Sequence, residues 1–254
     1  MDVVDIVPAG DAALVVRLPE RIDPAINAWC VAFARALEQD LGAAQRDVVI
    51  GYCSVTVYFD PLRADASWVE DRMHAIAGLV RADERAEGGV VEVPVCYGGE
   101  FGPDLADVAA FGGCSSEDVI ERHVSREYRV YLVGFVPGFA YMAEVDPAIA
   151  APRRASPRTA VPAGSVAIAG GQTGIYPAVT PGGWNIIGRT SLAPYGPWRR
   201  EPFLFRPGDR VRFHRVATLP LGSDPNPSEA SGQEQLGSDP NVRIRTPGSD
   251  PGAG

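Results

Sequence analysis

The sequence predicts a two-domain chain. A small α+β domain occupies residues 1–85, a closed or barrel-like β domain occupies 90–217, and a disordered tail covers 218–254. Three observations carry this reading. Strand and helix patterns alternate through the first 85 or so residues. After residue 128, short β-type runs alternate with Gly/Pro turns. Beyond residue 217, LGSDPN, LGSDPN and PGSDPG repeat one unit with almost no large apolar side chain, too little to bury a core.

Taken in order, DAALVVRL at 11–18 reads as a strand, and PAINAWCVAFARALEQDL carries apolar residues at helical spacing. RDVVIGYCSVTVYFD is rich in β-branched and aromatic residues and reads as strand, whereas SWVEDRMHAIAGLVRA is helical again. The polar, glycine-ended DERAEGG at 83–89 marks a boundary before the strand VVEVPVCY. Two short helices follow. PDLADVAAFG has proline in its first turn, and SSEDVIERHVS has the serine start and acidic first turn of a helix N-terminus. The strands YRVYLVGF, GSVAIAG, WNIIGRT, EPFLF and DRVRFHRV complete the second domain.

Composition narrows the function. The chain has 254 residues, is 46% hydrophobic and carries a formal charge of -9. Such an acidic surface repels nucleic acid and anionic membranes, leaving small molecules and proteins as partners. MDVVDIVPAGDAALVV has three acids and no basic run, so it does not read as a secretory signal. No apolar run reaches 18 residues, and the expected location is the cytoplasm. Cys30, Cys53, Cys96 and Cys114 lack metal or redox spacing and read as buried thiols, so no metal is expected. All 23 basic residues are arginine. Without lysine the chain cannot complete a P-loop, carry biotin or form a Schiff base. The nearest approach to a G-x-S-x-G elbow, AGSVA, has Ala167 where a glycine belongs.

PVCYGGEFGPDLADVA, VIERHVSREYRVYLVGFVPGFAYM, APRRASPRTAVPAGSVAIAGGQTGIYPAVTPGGWNIIGRT and FRPGDRVRF occur in this order. Together they resemble the family variously called B-type 5-oxoprolinase subunit, allophanate hydrolase subunit 1 or the sporulation kinase inhibitor KipI, over residues 5–216. The resemblance implies an N-terminal α+β domain joined to a cyclophilin-like β-barrel. It also implies a homologous second subunit, of the C type in 5-oxoprolinases or of the allophanate hydrolase subunit 2 type, and an A-type 5-oxoprolinase protein. The 5-oxoprolinase members open 5-oxoproline to glutamate with ATP, which the resemblance places in the complex rather than on this chain as a covalent cofactor. Related pairs are similar to the carboxyltransferase region of urea carboxylase. Amidases of the allophanate type rest on a Ser-Ser-Lys arrangement that a lysine-free chain cannot supply.

An anionic substrate suits arginine, whose guanidinium matches carboxylate or phosphate bidentately. Arg158, a catalytic candidate, and Arg189, a substrate-binding candidate, lie within the family motifs; Arg153 and Arg154 read preferentially as surface ion-pair residues. His123 follows Ile120 and Val119 on the apolar face of its helix. It is a catalytic candidate as acid or base, against the alternative of a hydrogen-bonded core residue. His74 and His214 lie outside the motifs and read as structural. Phe135, Phe139, Tyr141 and Trp184 sit on loops turned by Gly138, Gly182 and Gly183 and stiffened by Pro137, where they form either a ligand wall or a packed loop. Gln172, Thr173 and Tyr176 add polar groups for orienting a small substrate. The leading reading is an ATP-dependent 5-oxoprolinase subunit with little activity alone. The alternatives are half of a biotin-dependent carboxyltransferase and a sensor-kinase inhibitor.

Overall fold

A computed structural model describes residues 5–81 and 88–219. The repeat units from residue 221 onward, and most of the boundary stretch at 83–89, lie outside the described residues. The chain divides into two compact units, Met1–Glu87 and Gly88–Gly254.

The first unit contains strands β1 (Asp5–Pro8), β2 (Ala13–Arg17), β3 (Gln45–Ile50) and β4 (Ser54–Phe59), with helices α1 (Pro24–Leu41) and α2 (Ala66–Leu79). The strands form an antiparallel sheet in the order β1-β2-β4-β3. RDVVIGYCSVTVYFD is therefore a hairpin rather than one strand. It turns at Gly51, whose N–H donates to the Ser54 carbonyl at 2.8 Å. Helix α1 starts where Asp23 accepts hydrogen bonds from the Ala25 and Ile26 N–H groups, with Pro24 supplying a first-turn φ and no wasted donor. Its Ile26, Trp29, Cys30, Phe33, Leu37 and Leu41 recur at helical spacing and meet Leu14, Val16, Val55, Val57 and Phe59 from the sheet. Trp29 and Phe33 stack at 4.6 Å.

The second unit contains β5 (Val90–Tyr97), α3 (Leu105–Gly112), α4 (Ser116–Val124), β6 (Glu127–Val133), β7 (Ala140–Ala143), β8 (Arg158–Val161), β9 (Ser165–Ala169), β10 (Gln172–Ile175), β11 (Thr180–Gly182), β12 (Asn185–Arg189) and β13 (Arg210–Arg215). Seven of these strands close into a barrel in the order β10-β7-β6-β13-β5-β12-β9, while β8 and β11 pair as a separate ribbon. The final strand β13 runs parallel to β5 and antiparallel to β6. Helix α4 begins with a capping box between Ser115 and Asp118, as its serine start predicts. The segment EPFLF is not a strand. Pro194, Pro197 and Pro202 withhold ladder donors there, and only an isolated bridge joins Tyr195 to Phe203.

Strand β9 shows how the barrel is layered. Every residue in it is buried, so the alternation of a half-buried strand is absent. Val166 and Ile168 join the barrel core with Val93, Val130, Met142, Ile187 and Phe213. Ala167 and Ala169 face the other way, into a second, smaller core with Phe139, Val161, Tyr176, Trp184 and Ile186. The wall of the barrel is thus apolar on both faces. Among the described residues no helix is long and apolar enough to cross a membrane.

Candidate functional site

His123 projects from α4 into the barrel core and is fully buried. Thr173 fixes its tautomer. The Thr173 hydroxyl donates to the Ala167 carbonyl at 3.0 Å, so its oxygen accepts from His123 Nε2–H at 3.0 Å, and Tyr97 donates its O–H to Nδ1 at 2.7 Å. Phe213 and Tyr128 lie 4.5 and 5.2 Å from the imidazole, and Tyr128 donates to the carbonyl of His123 itself. Burial pushes the imidazole pKa down from 6.5 to about 3 and pushes Tyr97 well above its ordinary value. His123 is consequently a neutral core residue with both nitrogens occupied. The acid–base role expected of it has no exposed nitrogen to act through.

Arg158 is likewise committed to the protein. Its guanidinium binds Asp104 bidentately, with Nη1–Oδ2 and Nη2–Oδ1 both at 2.8 Å. Arg154 Nη1 reaches Oδ1 of the same carboxylate at 2.5 Å, and the Ile186 N–H donates to Oδ2 at 2.8 Å. Asp104 is 2% exposed, and this ring of donors offsets the cost of burying its charge. The expected substrate clamp at Arg158 is therefore an internal clamp tying β8 to the start of α3 and to β12. Asp104 lies in PDLADVAAFG, which the sequence predicts only as a helix with proline in its first turn. Its side chain makes no capping bond to α3 and turns to the arginines instead.

The aromatic residues converge as a group, but mostly inward. Phe139 is the hub, with ring centroids 4.8 Å from Tyr141, 5.2 Å from Tyr176, 5.4 Å from Trp184 and 5.8 Å from Phe135. Phe139, Tyr176 and Trp184 are buried, Tyr141 is half-buried and Phe135 is 62% exposed. The glycines allow close approach of other parts of the protein, the Tyr176 ring at Gly182 and Pro194 with Tyr195 at Gly138. A Cβ at Gly182 would lie 2.8 Å from the Tyr176 ring, and one at Gly138 would lie 2.6 Å from Tyr195 Cβ. Gly183 packs with Pro157 within ordinary contact range. Pro137 is exposed beside Phe135, which holds φ at 66°, in the left-handed region. The packed-loop alternative thus describes the buried rings, and the outer edge formed by Phe135 and Tyr141 is what solvent reaches.

Two further candidates lie on the barrel wall. Gln172 is half-buried at the start of β10 and alternates with Thr173, so it points away from His123. Arg189 ends β12 with its guanidinium 5.6 Å from the centre of Phe101 and its buried Nε without a hydrogen-bond partner among the described residues. Arg153 lies on the outer face, 6.0 Å from the centre of the Trp184 ring. The structure therefore gathers Phe135, Phe139, Tyr141, Tyr176, Gly182 and Trp184, with Arg158 at their inner margin. It places His123 on the opposite face of the wall.

The chain as a whole has known relatives. Residues 4–205 match the family model described as carboxyltransferase domain, subdomain C and D. The chain belongs to this family. It is 41% identical over 222 residues to the B-type 5-oxoprolinase subunit of Bacillus subtilis (strain 168), covering 82% of this chain and 91% of that protein. The crystal structure of TTHA0988 superposes with a TM-score of 0.72 at 40% identity over 80% of this chain, which spans only 40% of that longer protein. The Kluyveromyces lactis urea carboxylase superposes with a TM-score of 0.67 over 84% of this chain and 23% of its own. At 19% identity that likeness shows the fold alone.

Proposed function

We propose that the chain is one subunit of an ATP-dependent 5-oxoprolinase complex that converts 5-oxoproline to glutamate. Its partners in this reading are a homologous C-type 5-oxoprolinase subunit and an A-type 5-oxoprolinase protein. The observation that carries the reading is the 41% identity to a B-type 5-oxoprolinase subunit over 91% of that relative's length. Likeness to a urea carboxylase at 19% identity supports no choice of substrate.

The chemistry explains why such a chain needs partners. A lactam is a poor electrophile, so its carbonyl oxygen takes the terminal phosphoryl group of ATP and ADP leaves. Water adds at the activated ring carbon, and the C–N bond breaks with its electron pair and a proton going to nitrogen. A second water hydrolyses the resulting acyl phosphate to glutamate and phosphate. A chain without lysine has no P-loop cation for the nucleotide, and its most acid–base-like side chain, His123, is sealed in the core. In this reading the chain contributes binding surface and the partners bring the nucleotide. The test is to co-purify the chain with the products of its neighbouring genes and measure 5-oxoproline-dependent ATP hydrolysis and glutamate release. The assembled complex is expected to show both and the isolated chain neither. A folded complete complex that forms no glutamate, or vigorous ATP hydrolysis by the chain alone, would overturn the proposal.

A further inference from the structure

Three arginines lie close together in PRRASPR, and the structure separates them. Arg154 and Arg158 share the carboxylate of Asp104, and Arg154 also reaches Asp107 at 3.9 Å. Arg153, which the sequence assigned with Arg154 to surface ion pairs, has no carboxylate within ion-pair distance among the described residues. It is nevertheless not a loose surface cation. Its guanidinium is held over the face of Trp184, a cation–π contact that orients the fork without consuming its donors. The Tyr141 and Tyr176 hydroxyls lie near enough to feel its charge. In a chain with net charge -9, one uncompensated guanidinium, oriented by an indole and bordered by phenols, is arranged to receive an anion.

We propose that Arg153, over Trp184 and beside Tyr141 and Tyr176, is a binding site for the carboxylate of a small ring-shaped acid, the ring resting on the outer edge of the aromatic cluster at Tyr141. If the chain is a 5-oxoprolinase component, the acid is 5-oxoproline; this identification of the ligand rests on that reading, while the carboxylate site does not. The anion-holding role thereby moves from Arg158, which is spent on Asp104, to its neighbour five positions earlier. Arg153 is exposed, so removing it leaves the fold intact.

The experiment is a calorimetric titration of the full chain, alone and in complex with its co-purified partners. The probes are 5-oxoproline, its primary amide, 2-pyrrolidinone, and the carboxylates proline and glutarate. The wild type is expected to bind 5-oxoproline at least about tenfold more tightly than the amide. Arg153→Gln abolishes that preference with an unchanged melting temperature, and Arg153→Lys restores part of it. Arg158→Gln lowers the melting temperature and keeps the preference per folded molecule. If 5-oxoproline fails to bind but proline or glutarate binds in an Arg153-dependent way, the carboxylate site stands and the 5-oxoprolinase reading falls. The proposal is overturned if Arg153→Gln binds the acid as tightly as the wild type, if it loses acid and amide equally, or if no carboxylate binds the chain or the complex.

Discussion

At the scale of single residues, His123 and Asp104 show how burial decides what a polar group does. His123 has a folded-state pKa of about 3 against 6.5 unfolded, so at intermediate pH the unfolded chain binds the extra proton. Its contribution is fully present above pH 6.5 and falls by about 1.4 kcal/mol for each unit below that, down to about pH 3. Asp23, Asp40, Asp118 and Asp146 are all held below their ordinary 3.8, so their contributions are lost only at pH values below the part of this window from 6.5 to 4.5. Denaturant melts of wild type and His123→Gln at pH 7.5 and 5 therefore read His123 almost alone. The variant is less stable at pH 7.5, and the gap narrows by about 2 kcal/mol at pH 5. A gap that does not change with pH would mean that the imidazole is not buried neutral. Asp104→Ala leaves two guanidiniums and the Ile186 N–H without their acceptor and is expected to cost about 3 kcal/mol. Arg158→Met should likewise lower the melting temperature, with activity of the complex tracking the folded fraction. A melting temperature unchanged in either variant would return Arg158 to the ligand-binding candidates.

At the scale of elements, the loop joining β6 to β7 is the informative one. The Gly134 N–H donates to the Phe139 carbonyl and the Phe139 N–H to the Val136 carbonyl, which closes the loop on itself and turns Phe135 outward. Gly138 has φ 85° and nestles against Pro194 and Tyr195, so Gly138→Ala meets both backbone strain and a collision. It is expected to destabilise by about 1 to 3 kcal/mol, measured by thermal melting. Phe135→Gly has the opposite expectation. It relieves a left-handed φ and removes a ring that is mostly in solvent, so the melting temperature should hold or rise. A fall of several degrees would show that the ring packs more tightly than its exposure indicates. The sequence made the aromatic and glycine content of this loop plain and identified the strand that leads into it, β6, because those signals are local. It did not reveal which way the rings face. That depends on β9 being buried on both sides, a consequence of barrel closure between strands distant in sequence. The short strands β7, β8, β10 and β11 escaped notice for a related reason: at three or four residues each, they are set by their pairing partners more than by propensity. Asp104 was unreadable because its partners lie 50 and 54 residues away.

At the scale of the whole molecule, the question is how many cooperative pieces the chain contains. Each compact unit has its own buried cluster: Trp29, Phe33, Leu37, Val55 and Phe59 belong to the first, and Val93, Val130, Ile168, Ile187 and Phe213 to the second. The first unit's sheet and the second unit's barrel are each complete, since every described ladder joins strands of the same unit. A barrel closed on itself leaves no open edge, and α4 seals His123 into its core without help from the first unit. Residues 88–219 produced alone should therefore fold with a single cooperative transition, and their midpoint should shift by only a few degrees when the repeat tail from residue 220 is restored, because that sequence offers almost nothing apolar to bury. The same fragment should retain the acid-dependent slope from His123, which ties the thermal result to the geometry inside the barrel. Residues 1–81 test the other half; a sheet of four strands with two helices packed on a shared apolar core is enough for a marginal but cooperative domain. A fragment 88–219 that stays soluble but melts without a cooperative transition, or that loses the pH slope, would show that the barrel takes its stability from the rest of the chain.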